Sequence, residues 1–200
     1  EFVDIGHLLH DLRLVKSAAE LRLMREAATI SADAHRRAMQ ACRPGMNERD
    51  LEAELLYAFR LGGARESAYE CIVAAGLHAC TLHYVRNDGE VAEGALVLID
   101  ASDITRTFPA SGRFTALQRE LYELVLAAQH AAIEAARPGA HFNAPHEAAE
   151  RVLTEAFMSY GLLEGSLDEL LAAEAARKFC MHKTSHWLGL DVHDVGDYRV

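Results

Sequence analysis

The sequence predicts an α+β fold built from two similar halves. Two observations carry this. The apolar period switches from helical to alternating near Cys71, and the order helix, Arg-Pro-Gly, helix is laid down twice, at Arg43-Pro44-Gly45 and again at Arg137-Pro138-Gly139. One shared tripeptide is weak proof of duplication. The matching order of elements strengthens it.

Ser17-Ala18-Ala19-Glu20 is a capping box and opens the first helix. Leu21, Met24, Ala28, Ala32 and His35 recur at helical spacing behind it, and Arg43-Pro44-Gly45 stops it. Asn47 caps a second helix with Leu51, Leu55 and Phe59 on one face, ended by Gly62-Gly63. Cys71–Ala75 and Ala79–Val85 read as short strands, with Asn87-Asp88-Gly89 as a turn. Leu96–Ile99 is a buried strand ending at Asp100, and Ile104–Phe108 is another, stopped by Pro109. In the second half Thr115-Ala116-Leu117-Gln118 is a capping box, and Ala136-Arg137-Pro138-Gly139 ends its helix. Asn143 caps the next helix, with Ala149, Val152, Leu153, Ala156 and Phe157 on one side. Ser166-Leu167-Asp168-Glu169 opens a short third one. Met181–Gly196 follows as strands and loops.

The chain has 200 residues, half of them hydrophobic, with a formal net charge of −10. That balance argues against a nucleic-acid partner, which would meet a basic face. The longest apolar run is too short for a membrane span, and the mixed, acidic N-terminus is not a signal peptide. Cys42, Cys71, Cys80 and Cys180 are scattered, without a zinc-knuckle spacing, and fit a reducing cytoplasm. There is no GxSxG elbow and no phosphate-binding glycine loop.

Candidate chemistry lies in two places. Met181–Gly196, MHKTSHWLGLDVHDVG, holds His182, His186 and His193 within twelve residues, beside Asp191 and Asp194. Histidine and carboxylate are the side chains that hold a hydrolytic metal and shuttle protons around it. Gly189 and the nearby β-branched residues argue against a helical metal pair. Each histidine either ligates or is satisfied structurally. Upstream, Asp100 follows Leu96–Ile99; it either ligates a cation or ends the strand at a solvated turn. Asp103 is three residues on, and in an extended strand the two would face opposite ways, so a turn is needed to aim both at one ion. Taken alone, Asp103 reads as a turn residue or a partner for Arg106. His83, in Thr81-Leu82-His83-Tyr84, reads as a partly exposed strand histidine, and His35, His130, His141 and His146 as surface residues.

The segments GHLLHDLRLVKSAAEL, MQACRPGMNERDLEAEL, LVLIDA, DITRTFPASGRFTALQRELY and, most specifically, SHWLGLDVHDVG resemble the catalytic domain of aminopeptidase P (Xaa-Pro aminopeptidase). That family belongs to the methionine aminopeptidase/prolidase pita-bread group. The resemblance runs end to end. It implies helices backing a curved antiparallel sheet, with residues 1–16 as a linker from an upstream domain and 17–200 as a catalytic domain incomplete at its C-terminus. It implies release of the N-terminal residue from peptides with proline in second position, by a hydroxide held between two divalent ions, Mn²⁺ first, with Zn²⁺ or Co²⁺ as alternatives. Asp100, Asp103 and His186 match metal ligands; His83, His182 and His193 match the histidines around the substrate. The family also implies a homo-oligomer, dimer or tetramer. Two departures stand out. Only Ala101 and Ser102 separate the aspartates, where the family has about ten residues, so a segment is expected to be absent between them. No residue here takes the place of the family's two downstream glutamate ligands, so the 200 residues alone are expected to be inactive. Prolidase activity on Xaa-Pro dipeptides, or a non-catalytic pita-bread binding module, are the alternatives.

Overall fold

The computed structural model describes residues 5–196 and residue 198. The first four residues of the expected linker, and residues 197, 199 and 200 at the other end, lie outside the described residues. The chain divides into two compact units. One runs to Phe114 and includes Leu188–Val192; the other takes Thr115–Trp187 and the residues from His193 onward.

The first unit begins with a helix the sequence reading did not anticipate, α1 (Gly6–Leu14). It continues through α2 (Ala18–Ala41) and α3 (Glu48–Leu61) to three strands, β1 (Ile72–Ala75), β2 (Leu96–Ala101) and β3 (Ile104–Pro109). The Ser17–Glu20 capping box forms as expected, and Asn47 and Asp50 make another at the start of α3. Each such cap contributes about 1 kcal/mol by satisfying backbone N–H groups that the helix leaves open.

The strands form an antiparallel meander, β1-β2-β3, with Ile72 opposite Asp100 and Asp100 opposite Thr105. Burial alternates strictly along β2. Val97, Ile99 and Ala101 enter a core with Ala34 and Ala38 of α2 and Leu51, Leu55 and Phe59 of α3. Leu51 and Leu55 are fully buried, each worth roughly 1.5–3 kcal/mol over its exposed state. On the other face Leu98 packs with Ile72, Ala74 and Tyr84. Asp100, an even number of positions from Leu98, shares that second face.

Three expectations fail in this unit. Ala79–Val85 forms no strand: a short 3₁₀ turn, Gly76–Cys80, is followed by irregular chain, with positive φ at Gly76 and His83. The buried stripe of α2 is Ser31, Ala34, His35 and Ala38 rather than the larger side chains before it. Small residues let the helix approach the sheet closely, whereas Leu21 is exposed. His35 is therefore buried, not on the surface, with its Nδ1 donating to Ser31 O at 2.9 Å.

The second unit packs α4 (Ala116–Ala135) against α5 (Ala144–Ser159) through Ala128, Ala132 and Ala149, with Val152 and Leu153 alongside. A satellite core of Phe157, Leu163 and Ala176 joins α5 to α6 (Leu167–Ala172) and a 3₁₀ turn, Ala175–Lys178. The Thr115 and Ser166 boxes form. Asn143 stands at the expected cap position of α5, but its side chain makes no capping bond; Pro145 instead pre-sets the first turn. Among the described residues no strand follows β3, so Met181–Gly196 is the loop expected there, irregular chain and bends, without the expected strands.

Candidate metal and substrate site

Asp100 and Asp103 are joined by a two-residue connection. Ala101 pairs with Ile104, and Ser102 and Asp103 form the loop with φ of 50° and 64°. Positive φ at both central residues is the pattern of a type I′ hairpin turn, which favours Asn-Gly. Ser102 and Asp103 meet it without a glycine, so the turn is strained. Asp103 is thus the turn residue its spacing suggested. Its backbone N donates to Tyr69 Oη at 2.9 Å, and Tyr69 Oη donates to Asp100 Oδ1 at 2.6 Å. Tyr69 clamps both aspartates from outside the hairpin. Its phenol is pushed well above the ordinary tyrosine range, first by burial and then by the hydrogen bond to Asp100 and that residue's charge. From behind, Ser31 Oγ donates to Ala101 O at 3.1 Å and ties the hairpin to α2.

In the other unit His186 and His193 come together, ring centroids 4.3 Å apart. The chain from Trp187 to Asp194 is closed by Asp194 N donating to Trp187 O at 2.9 Å. His186 Nδ1 donates to Trp187 O at 2.9 Å, which puts the ring lone pair on Nε2. That tautomer, held by a backbone carbonyl, is the usual posture of a metal-binding histidine. Trp187 rests against Phe142 and Gly196; a Cβ on Gly196 would lie 2.1 Å from the indole Cδ1. Thr184 Oγ1 lies 2.8 Å from His146 Nδ1 and ties this segment to α5. His182 is exposed. His83 sits in the irregular loop after β1, exposed, with φ of 52°.

The structure therefore joins Asp100 with Asp103, and His186 with His193. The donors suit a hard to borderline dication. No group of three or more His, Cys, Asp or Glu side chains among the described residues is placed to hold a metal ion, so the described residues do not by themselves make up a complete centre. Two residues near the site escaped the sequence reading. Tyr69 left no signal, being a lone aromatic before a strand. Glu48 did leave one: it falls in register with Leu51, Leu55 and Phe59 on the buried face of α3, where an acid needs partners.

Residues 22–200 match the model of metallopeptidase family M24. The chain belongs to that family. It is 45 % identical over 204 residues to the Xaa-Pro aminopeptidase of Escherichia coli, covering 98 % of this chain and 46 % of that protein. It is 38 % identical over 201 residues to a human Xaa-Pro dipeptidase, covering 94 % and 41 %. Among solved structures, the Pseudomonas aeruginosa aminopeptidase PepP superposes with a TM-score of 0.96 at 57 % identity, covering all of this chain and 47 % of that one. A zinc-substituted E. coli aminopeptidase P in complex with product gives 0.94 at 45 % identity, covering 98 % and 46 %. The fold is accordingly the α+β pita-bread fold of M24 aminopeptidases P, present in part, and the chain spans about half the length of the relatives it matches. The 204 aligned positions of the E. coli match take in only 98 % of 200 residues, so about eight of its positions stand opposite no residue here.

Proposed function

We propose that this chain is part of the catalytic domain of a metallo-aminopeptidase that removes the N-terminal residue from peptides with proline second. The observation that carries this is the 45 % identity with an Xaa-Pro aminopeptidase over 98 % of the chain. Asp100, Asp103 and His186 contribute to the metal centre; His83, His182 and His193 line the substrate. Two divalent ions, Mn²⁺ by preference with Zn²⁺ or Co²⁺ as alternatives, supply Lewis-acid charge and lower the pKa of a shared water when bound. The chain's own residues prepare for them. Tyr69 holds the Asp100 carboxylate, the Trp187 carbonyl fixes the His186 ring, and the neighbouring His193 is near enough to move with it. Histidines facing the substrate can donate to the scissile carbonyl as negative charge develops on it.

A segment of about eight residues absent between Ala101 and Ser102 is supported by the unmatched positions in the E. coli relative and by the strained, glycine-free turn. Residues 1–16 act as a linker and 17–200 as the catalytic part. The free thiols of all four cysteines support a cytoplasmic protein. No described helix is long and apolar enough to cross a membrane. The partners are Xaa-Pro peptides and further copies of the chain, as a dimer or tetramer.

Hydrolysis of Arg-Pro-Pro with added Mn²⁺ tests the reading. The 200 residues alone are expected to be inactive and a full-length catalytic domain active, losing turnover on His186→Ala. Robust turnover by the 200 residues, or survival of activity after His186→Ala, overturns it. Cleavage of Xaa-Pro dipeptides but not tripeptides turns it to a prolidase. A second reading, a non-catalytic binding module, is favoured by one observation: no three-donor group forms among the described residues. Stoichiometric Mn²⁺ in the purified full-length protein excludes it.

A further inference from the structure

Glu48 is the first residue of α3 and is wholly out of solvent. A buried carboxylate without partners is very costly. This one has four donors, two on each oxygen. Oε1 accepts from Ala75 N at 2.7 Å and His78 Nδ1 at 2.9 Å; Oε2 accepts from Tyr84 Oη and Gly89 N, both at 2.8 Å. Burial pushes its carboxyl up, but the bonds from Ala75, His78, Gly89 and Tyr84 outweigh that and hold it below the ordinary glutamate value. The helix N-terminus favours the same anion.

All four donors belong to one stretch of chain, 75–89. Ala75 and Gly89 are its two ends, and His78 and Tyr84 stack within it at 4.5 Å between centroids. Past Ala75, the last residue of β1, the stretch has no regular structure beyond the 3₁₀ turn, so its backbone depends on such outside partners. Gly89 is a close approach: a Cβ there would lie 2.4 Å from His78 Cε1 and 3.0 Å from Glu48 Oε2. Asn87 closes the base, accepting from Val73 N at 2.9 Å and donating to Cys71 O at 2.8 Å. His83 precedes Tyr84 directly and is held at positive φ, a conformation a non-glycine residue keeps only where its surroundings impose it.

We infer that Glu48 is the positioning residue for His83: its carboxylate grips both ends and the middle of the 75–89 loop and so fixes where that histidine is presented. The consequence for turnover rests on the reading of His83 as a substrate-facing residue; the structural part does not. An amide in place of the carboxylate turns an NH₂ toward two donors, and the loop loses its common anchor.

The test begins on the folded chain. In Glu48→Gln, backbone amides of 76–88 are expected to exchange roughly tenfold to hundredfold faster, with α4 and α5 unchanged and the His83 ring signals shifted. Tyr84→Phe keeps the carboxylate but removes the phenol's bond to Glu48 together with its 3.0 Å bond to Asp88 Oδ1, so a smaller change in the same direction that exceeds that of Asp88→Asn decides the matter if Glu48→Gln does not fold. Unchanged loop exchange overturns the inference. In a full-length catalytic domain, Glu48→Gln and His83→Ala each lower kcat/KM, and the double variant is expected to be no worse than His83→Ala alone. Additive losses overturn it, because Glu48 would then act through something other than His83. If the wild-type protein hydrolyses no Xaa-Pro peptide while the loop responds as described, the proposed activity falls and the positioning of His83 stands.

Discussion

Tyr69→Phe deletes one oxygen and leaves the ring. Two hydrogen bonds go with it, the 2.6 Å bond to Asp100 Oδ1 and the 2.9 Å bond from Asp103 N. The first is made to a carboxylate, where such bonds contribute about 1.5–3 kcal/mol; the second leaves a half-buried N–H that water can reach, at the low end of about 1–3 kcal/mol. Because Asp100 is also half-buried, water recovers part of the loss, and about 2 kcal/mol is a fair sum. With a urea dependence of about 2 kcal/mol per molar, the midpoint should fall by about 1 M. The amide signals of β1–β3 are the right probe, since they report the unit that holds Tyr69. A midpoint unchanged within about 0.2 M would mean that the phenol does not secure the hairpin, and the clamp would be refuted.

Gly196→Ala puts a methyl 2.1 Å from Trp187 Cδ1 and should cost about 1–3 kcal/mol by overpacking. Trp187 is the only tryptophan in the chain, so its fluorescence reads the histidine segment directly; unaltered emission and melting would refute the contact. Stability should also fall at both pH extremes. Tyr84 is pushed up to about 12, by burial first and then by its bond to Glu48, so its contribution is complete below its ordinary value of 10.0 and lost as pH rises toward about 12. Glu48 is held low, so its contribution is complete above its ordinary value of 4.5 and lost as pH falls through the lower folded value. Urea midpoints against pH should therefore flatten at the alkaline end in Tyr84→Phe and at the acid end in Glu48→Gln. Replacing Ser102-Asp103 by Asn-Gly should raise stability by about 1 kcal/mol in this chain, because both φ values suit the new pair; a loss would mean that the two residues do not form the tight turn.

Helix starts were legible because capping is local. Ser17, Asn47, Thr115 and Ser166 each carry their partner three residues on, and all four boxes form. The stripe Leu51, Leu55 and Phe59 and the alternation around Leu96–Ile99 were legible for the same reason, since period alone sets the face. The stripe of α2 was not. Its close packing uses Ser31, Ala34 and Ala38, which carry little hydrophobic signal, while Leu21 and Met24 carry more and are less buried. Ala79–Val85 misled in another way. Its residues look strand-like, yet the chain on either side is held by side chains, Ala75 N and Gly89 N by Glu48 and Val73 N by Asn87, and Tyr84 itself is tied to Glu48, a partner far off in sequence.

The two aspartates show how a local rule can be right and still leave the chemistry open. Spacing required a turn between Asp100 and Asp103, and a turn is there. Its cost is visible in the backbone: Ser102 and Asp103 both take positive φ, where the favoured pair would be Asn-Gly. With Ala101 paired to Ile104, Asp103 has no strand neighbour, and Asp100 stands opposite Thr105 instead. On the proposed reading, about eight more residues between Ala101 and Ser102 would move Asp103 out of the turn and into β3, across from β2. Tyr69 is already placed to serve both aspartates, holding one by its carboxylate and the other by its backbone. A longer hairpin would release Asp103 from the turn without disturbing Asp100, whose strand register with Ile72 on β1 is set from the other side. The strain of the short turn marks this place in the chain, the count of unmatched positions in the relative is of the size the proposed reading needs, and it is the place on which the metal centre would depend.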